Sequence, residues 1–216
     1  CLPVPVGKNI RRKASSIYLD LPAAGPFASI QSIPIQRCLL MSKSIRLHFV
    51  PIYLLLLAVL SPAQDTPPPV RALAVDGSIS IDGRLDELSW QQGEWYSGFS
   101  LLDIPHQPAS MQTRFKIRFD ASHLYIGVQA DEPNTAAMRT EVTGRDGKVF
   151  RDDCVEVMID PTGERIEYYH FIVNALGTLY DAQRRQGGHV YTAEWNSSAR
   201  AAAHIDAEKW SVVLHP

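Results

Sequence analysis

Apolar and polar residues alternate through much of the second half of the chain, and a period of two is the mark of a half-buried β-strand. In Thr113–Phe119, Phe115, Ile117 and Phe119 share one side while Arg114, Lys116 and Arg118 share the other. The aromatic and aliphatic set is expected to face a core and the three cations solvent. Asp120-Ala121-Ser122 turns the chain, and residues 123–130 return with Leu124, Ile126, Val128 and Ala130 on one side. This pair is predicted as a β-hairpin. Cys154–Asp160 is rich in β-branched residues, Pro161-Thr162-Gly163 breaks the run, and residues 168–175 resume it. Val155, Val157 and Ile159 point one way, and Glu156, Met158 and Asp160 the other. Phe171, Val173 and Ala175 share a side opposite His170, Ile172 and Asn174. Each strand therefore has an apolar face and a mixed face that keeps polar groups, and the two mixed faces together suggest a shallow ligand site.

The flanking segments complete a pattern of many short strands. After Leu179-Tyr180-Asp181 a basic, glycine-bearing loop is expected to reach Ala193. Residues 199–205 and 210–214 read as two more strands around Asp206-Ala207-Glu208. Upstream, Ser78-Ile79-Ser80-Ile81 alternates before a turn at Asp82-Gly83. Residues 85–91 are predicted as one or two helical turns, capped by Asp82 and pinned to the core by Leu85, Leu88 and Trp90. The expectation is an all-β fold: an antiparallel β-sandwich of jelly-roll or immunoglobulin-like layers with one short helix.

Residues 1–40 open on Cys1 rather than Met and hold no sustained period, so they are expected to be an upstream, non-native or disordered segment. In residues 41–63, a basic start from Met41 leads to an apolar run and to Ser61-Pro62-Ala63, the order of a signal peptide cut near Ala63–Gln64. The run is shorter than the ~20 residues of a spanning helix, so membrane contact is expected only during export. Residues 64–72 form a proline-rich linker, and 73–216 the domain. His215-Pro216 follows directly on a strand, which points to a domain incomplete at its C-terminus. The expected location is secreted, periplasmic or outer-membrane-associated.

Composition is ordinary, with 45% hydrophobic and 20% charged residues and a net charge of −2. That argues against a nucleic-acid partner and against disorder. Of Cys1, Cys38 and Cys154, only Cys154 would survive processing, which excludes an internal disulfide and a thiolate metal site. Cys154 is expected to be a small buried hydrophobe. The motifs GxSxG, HExxH, GxGxxG, CxxC and the P-loop are all missing. Glycoside hydrolysis needs carboxyl groups ~5–9.5 Å apart, whereas Glu156 and Asp160 are separated by ~13 Å along one strand. The domain itself is therefore not expected to be catalytic.

Four stretches, taken in order, resemble carbohydrate-binding module family 9: Ile81-Asp82-Gly83-Arg84-Leu85-Asp86-Glu87 with Trp90; His123-Leu124-Tyr125-Ile126; residues 152–161, Asp152-Asp153-Cys154-Val155-Glu156-Val157-Met158-Ile159-Asp160-Pro161; and residues 169–178, Tyr169-His170-Phe171-Ile172-Val173-Asn174-Ala175-Leu176-Gly177-Thr178. Trp195 and Trp210 fit the spacing. The resemblance implies a β-sandwich that binds a mono-, oligo- or polysaccharide, attached to a secreted protein of glycan breakdown such as a glycoside hydrolase. The family's first stacking aromatic falls on Phe150 and its hydroxyl-binding glutamate on Glu156. Its arginine falls on Ile172, and its second tryptophan beyond Pro216. Beside Phe150 and Glu156, the candidate sugar contacts are His170 and Asn174 on the mixed face and Trp195 in a polar loop. Calcium is bound structurally in some members, and Asp152 and Asp153 supply hard oxygen ligands for it, although no twelve-residue calcium loop is present. Two other readings stay open. One is a b-type haem sandwich drawing axial ligands from Met111, Met158, His123 and His170; the other is a structural domain ahead of an outer-membrane protein.

Overall fold

Val155, Val157 and Ile159 turn toward the same interior as Phe115, Ile117 and Val128, and all are buried. That interior lies between two five-stranded sheets in a computed structural model, which describes residues 14–20, 70–101, 104, 107–164, 166–192 and 194–216. In chain order the strands are β1 (Ala14–Asp20), β2 (Ala72–Ala74), β3 (Thr113–Phe119), β4 (Leu124–Asp131), β5 (Cys154–Asp160), β6 (Tyr168–Asn174), β7 (Leu179–Arg185), β8 (Val190–Thr192), β9 (Arg200–Ile205) and β10 (Lys209–His215). One sheet runs β1-β5-β6-β7-β8 and the other β2-β3-β4-β10-β9. Inward side chains of the two sheets interdigitate, with Trp210, Val212 and Leu214 of β10 in the same core as Phe171 and Val173 of β6.

The sandwich is mostly antiparallel, but β1 pairs with β5 and β2 with β3 in parallel. Both are edge strands that reach their partners without a hairpin, so no tight turn dictates their direction. The first of them departs from expectation. The stretch Ala14–Asp20 lies in the upstream segment expected to carry no structure, yet Ile17 and Leu19 are buried in the core. Ser15 Oγ stands 2.6 Å from Thr113 Oγ1 of the facing sheet. Cleavage near Ala63 would sever this strand from the sandwich. The expected signal peptide at 41–63 and most of the linker at 64–72 lie outside the described residues. Among the described residues no helix is long and apolar enough to cross a membrane.

Several local expectations change on contact with the fold. Residues 78–81 form no strand; further on, Gly83 lies against Ala203 of β9, and Leu85 and Trp90 cover Gly127 on the outer side of the β3-β4-β10 sheet. The helix α1 is only Leu88–Gln91; Leu88 is exposed, Trp90 is buried, and Asp82 accepts from the Arg84 N–H instead of capping the helix. This cover buries Lys116 and Arg118, which therefore do not face solvent. Their head groups donate to the carbonyls of Ser89, Trp90 and Gln92. The presumed loop after Asp181 is a hairpin, β7 continuing to Arg185 and turning into β8.

Cys154 is buried, and burial pushes its thiol up to about 12. A thiol held protonated and covered is a poor nucleophile. Native protein is expected to leave Cys154 unlabelled by iodoacetamide, and denatured protein to label it fully, as read by intact mass.

Candidate functional site

The outer face of the β5-β6-β7-β8 sheet collects the polar and aromatic side chains that alternation turns away from the core. Register places Glu156 opposite Ile172, and Ile172 opposite Tyr180; one step along, Met158, His170 and Ala182 form the next row. Glu156 and His170 are thus diagonal neighbours, and His170 Nε2 lies 3.2 Å from Glu156 Oε2. The Glu156 side chain keeps 21% of its surface exposed, while His170 is nearly covered and its Nδ1 has no hydrogen-bond partner. The carboxylate is therefore oriented by the imidazole and still open to a ligand.

Two exposed rings lie on neighbouring elements. A 3-10 turn at Val149–Arg151 enters β5, and Val149 packs on Ile172 and Tyr180 of this same face. The next residue, Phe150, is left 44% exposed. On the far side Tyr191 of β8 is also exposed, its ring parallel to that of Tyr180 at 12° and their hydroxyls in contact. The guanidinium of Arg184 stacks on Tyr191 with its carbon 4.2 Å from the ring centre. Tyr191 and Arg184 lie in the stretch that the sequence predicts as a loop, where the polar run Gln183-Arg184-Arg185 hides the end of β7.

Other predicted site residues serve the fold. Asn174 is fully buried, and its side chain donates to Val142 O and Asp152 Oδ2 and accepts from the N–H groups of Leu176 and Thr178. It has no capacity left for a sugar. Trp195 lies on the core side of the sheet, stacked on Tyr169 at 4.9 Å and edge-on to Phe171, so it does not converge with Glu156. The two calcium candidates hold a neighbouring loop. Asp152 is buried and its Oδ2 accepts N–H bonds from Glu141, Val142 and Asn174, while Arg139 lies 3.8 Å from Oδ1. Asp153 accepts from the Arg139 N–H. Asp152 Oδ2 and Asp153 are thus used to hold the 139–142 loop, and among the described residues no three His, Cys, Asp or Glu cluster to hold a metal ion.

The haem candidates are not brought face to face either. Met158 and His170 are cross-strand partners pointing the same way, and His123 lies in the other sheet beside His215. A larger cleft of about 550 Å³ lies on the rim near Arg145, Gly177, Thr178 and Arg200. None of the predicted site residues lines it.

A two-sheet core with a polar and aromatic outer face defines a β-sandwich module. The chain belongs to the carbohydrate family 9 binding domain-like family, whose profile matches residues 81–207. No curated protein matches the chain. Among solved structures it is similar to a Bacteroides uniformis protein provisionally described as carbohydrate-binding, with 19% identity, 67% of this chain and 70% of that one covered, and a TM-score of 0.49. It is also similar to a family 9 carbohydrate-binding module from Caldicellulosiruptor kristjanssonii in complex with cellotriose, at 16% identity, 67% and 65% coverage and a TM-score of 0.44. The glucose complex of a module from the same organism gives 16% identity, 66% coverage of each chain and 0.42. The chain spans about two thirds of the length of these structures.

Proposed function

We propose that this domain is a non-catalytic sugar-binding module whose site is the outer face around Glu156. The observation that carries the reading is the partly open Glu156 carboxylate held by His170, with Tyr191 exposed on the same sheet and Phe150 exposed in the turn that enters β5. A sugar ring presents hydroxyls at its rim and C–H groups on its faces. Carboxylate and imidazole suit the first, and an exposed aromatic plane suits the second. Phe150 is a smaller platform than the family's tryptophan, so the site favours a short neutral sugar held at its edge. Glucose and cellotriose, the ligands of the Caldicellulosiruptor modules, are the first to test. On the same proposal the 41–63 segment exports the protein, and the parent protein works in glycan breakdown.

Isothermal titration with glucose, cello-oligosaccharides and soluble polysaccharides tests the site. A hydrogen bond to a charged group contributes about 1.5–3 kcal/mol, so Glu156→Gln is expected to weaken binding about 10- to 100-fold with an unchanged circular dichroism spectrum. Phe150→Ala is expected to weaken it less. Equal affinity of parent and Glu156→Gln for every sugar bound would remove the site from this face.

A further inference from the structure

The outer side of the other sheet holds a second recess, with three cations in its lining. Arg114 and Lys116 stand two residues apart on β3, and Gln129 of β4 is the cross-strand partner of Arg114. With Lys209 of β10, Gln91 and Trp95 they line a cavity of about 240 Å³. Lys116 Nζ lies 4.7 Å from the centre of the Trp95 ring, and the Arg114 guanidinium carbon 5.1 Å from it.

Among the described residues no carboxylate pairs with these cations. Lys116 is 2% exposed, and its Nζ donates to two carbonyls, those of Trp90 and Gln92, at 2.8 Å each. An ammonium has three donors, so one is left beyond those two bonds. Arg118, deeper under the cover, donates only to the backbone carbonyls of Ser89, Ile117 and Gln92. No ion pair among the described residues includes Arg114, Lys116, Arg118 or Lys209. The nearest acids in register and sequence do not change this: Asp131 is the cross-strand partner of Lys209 and Glu94 precedes Trp95, and neither pairs with these cations. A buried cation is costly without a counter-charge. Burial, followed by repulsion from Arg118 and Arg114, holds the Lys116 ammonium below the usual lysine range. An anion entering the recess would relieve both effects.

The remaining lining narrows the anion. The space is smaller than the ~300–1,000 Å³ of pockets for drug-sized ligands, which suits a single sugar residue. The Arg114 fork matches the two oxygens of a carboxylate. The amides of Gln91 and Gln129 suit hydroxyls, and the indole of Trp95 adds an apolar edge; a bare inorganic anion would leave all three unused. We infer that this recess is a second binding site, taking the carboxylate of a uronic acid residue on the sheet opposite Glu156. The inference draws on family membership for the sugar, and it stands or falls independently of the Glu156 site.

Titration of the full chain with glucuronate, glucose, sulfate and phosphate at matched ionic strength tests it. Glucuronate is expected to bind, with affinity falling as salt rises. Arg114→Gln and Lys209→Gln, both at exposed positions, are each expected to weaken it about tenfold or more, as for loss of a charge-assisted hydrogen bond. Glu156→Gln is expected to leave glucuronate binding unchanged. The proposal is overturned if Arg114→Gln and Lys209→Gln bind glucuronate like the parent, or if the loss appears only in Glu156→Gln. Sulfate or phosphate binding as tightly as glucuronate would also overturn it, reducing the recess to a simple anion site. Circular dichroism of each variant separates lost binding from lost fold.

Discussion

Trp90→Ala is expected to lower the unfolding free energy by about 3–5 kcal/mol, the range for truncating a fully buried large aromatic. Trp90 is 1% exposed and belongs to the segment that crosses the outside of the β3-β4-β10 sheet. Its ring lies so close to Gly127 that a Cβ built there would stand 2.8 Å from it. Gly127 is the cross-strand partner of both Lys116 and Val213, so the missing side chain makes the seat for the indole. The Trp90 carbonyl also holds Lys116 Nζ, and the ring faces the Arg118 guanidinium at 5.6 Å. Truncation therefore removes apolar burial and loosens the lid over two buried cations at once. Urea denaturation followed by circular dichroism reads the loss. A change below about 1 kcal/mol, small against the usual cost of such a cavity, would mean that the cover folds independently of the sandwich.

The second large effect is expected at Asn174. Asn174→Ala deletes four side-chain hydrogen bonds and strands the N–H groups of Leu176 and Thr178, while Asp152 Oδ2 keeps the N–H groups of Glu141 and Val142. A buried polar group left without a partner costs about 1–3 kcal/mol. Val142 O also keeps a bond, from Thr178 Oγ1 at 2.8 Å. Allowing for that and for local relaxation, the expected loss is about 3–4 kcal/mol. The folded fraction is expected to keep its sugar affinity, because Asn174 ties the 139–147 loop to the β6-β7 turn and does not reach the open face. Unfolding curves and titration of the same preparation separate the two roles. Selective loss of affinity at full stability would return Asn174 to the binding site.

The positions that were legible in advance share a physical basis. Glu156 and His170 stood out because strict alternation on β5 and β6 puts them opposite a continuous apolar set, whatever lies on the far side of the core. Asn174 obeys the same alternation but falls where the 139–147 loop covers the sheet, and no local pattern announces that loop. Trp195 looked exposed because Glu194 and Asn196 flank it, whereas Tyr169 and Phe171 recruit its ring inward. Lys116 and Arg118 follow the outward pattern faithfully, yet the segment carrying Trp90 arrives from earlier in the chain and closes over them. Tyr191 is not legible because β8 is three residues long and has no periodicity of its own, and Arg184 because it lies at the end of β7 in a run of polar residues.

Alternation and turn chemistry, both properties of adjacent residues, determined from sequence alone that this chain builds a β-sandwich, which faces of β3, β5 and β6 look inward, and that Glu156 lies opposite the core. Which of the outward residues meet water was decided only in three dimensions. Exposure depends on what crosses a strand from a distance, and that is set by packing partners such as Gly127 beneath Trp90 and by buried hydrogen bonds such as those of Asn174. Neither leaves a trace in the neighbouring sequence.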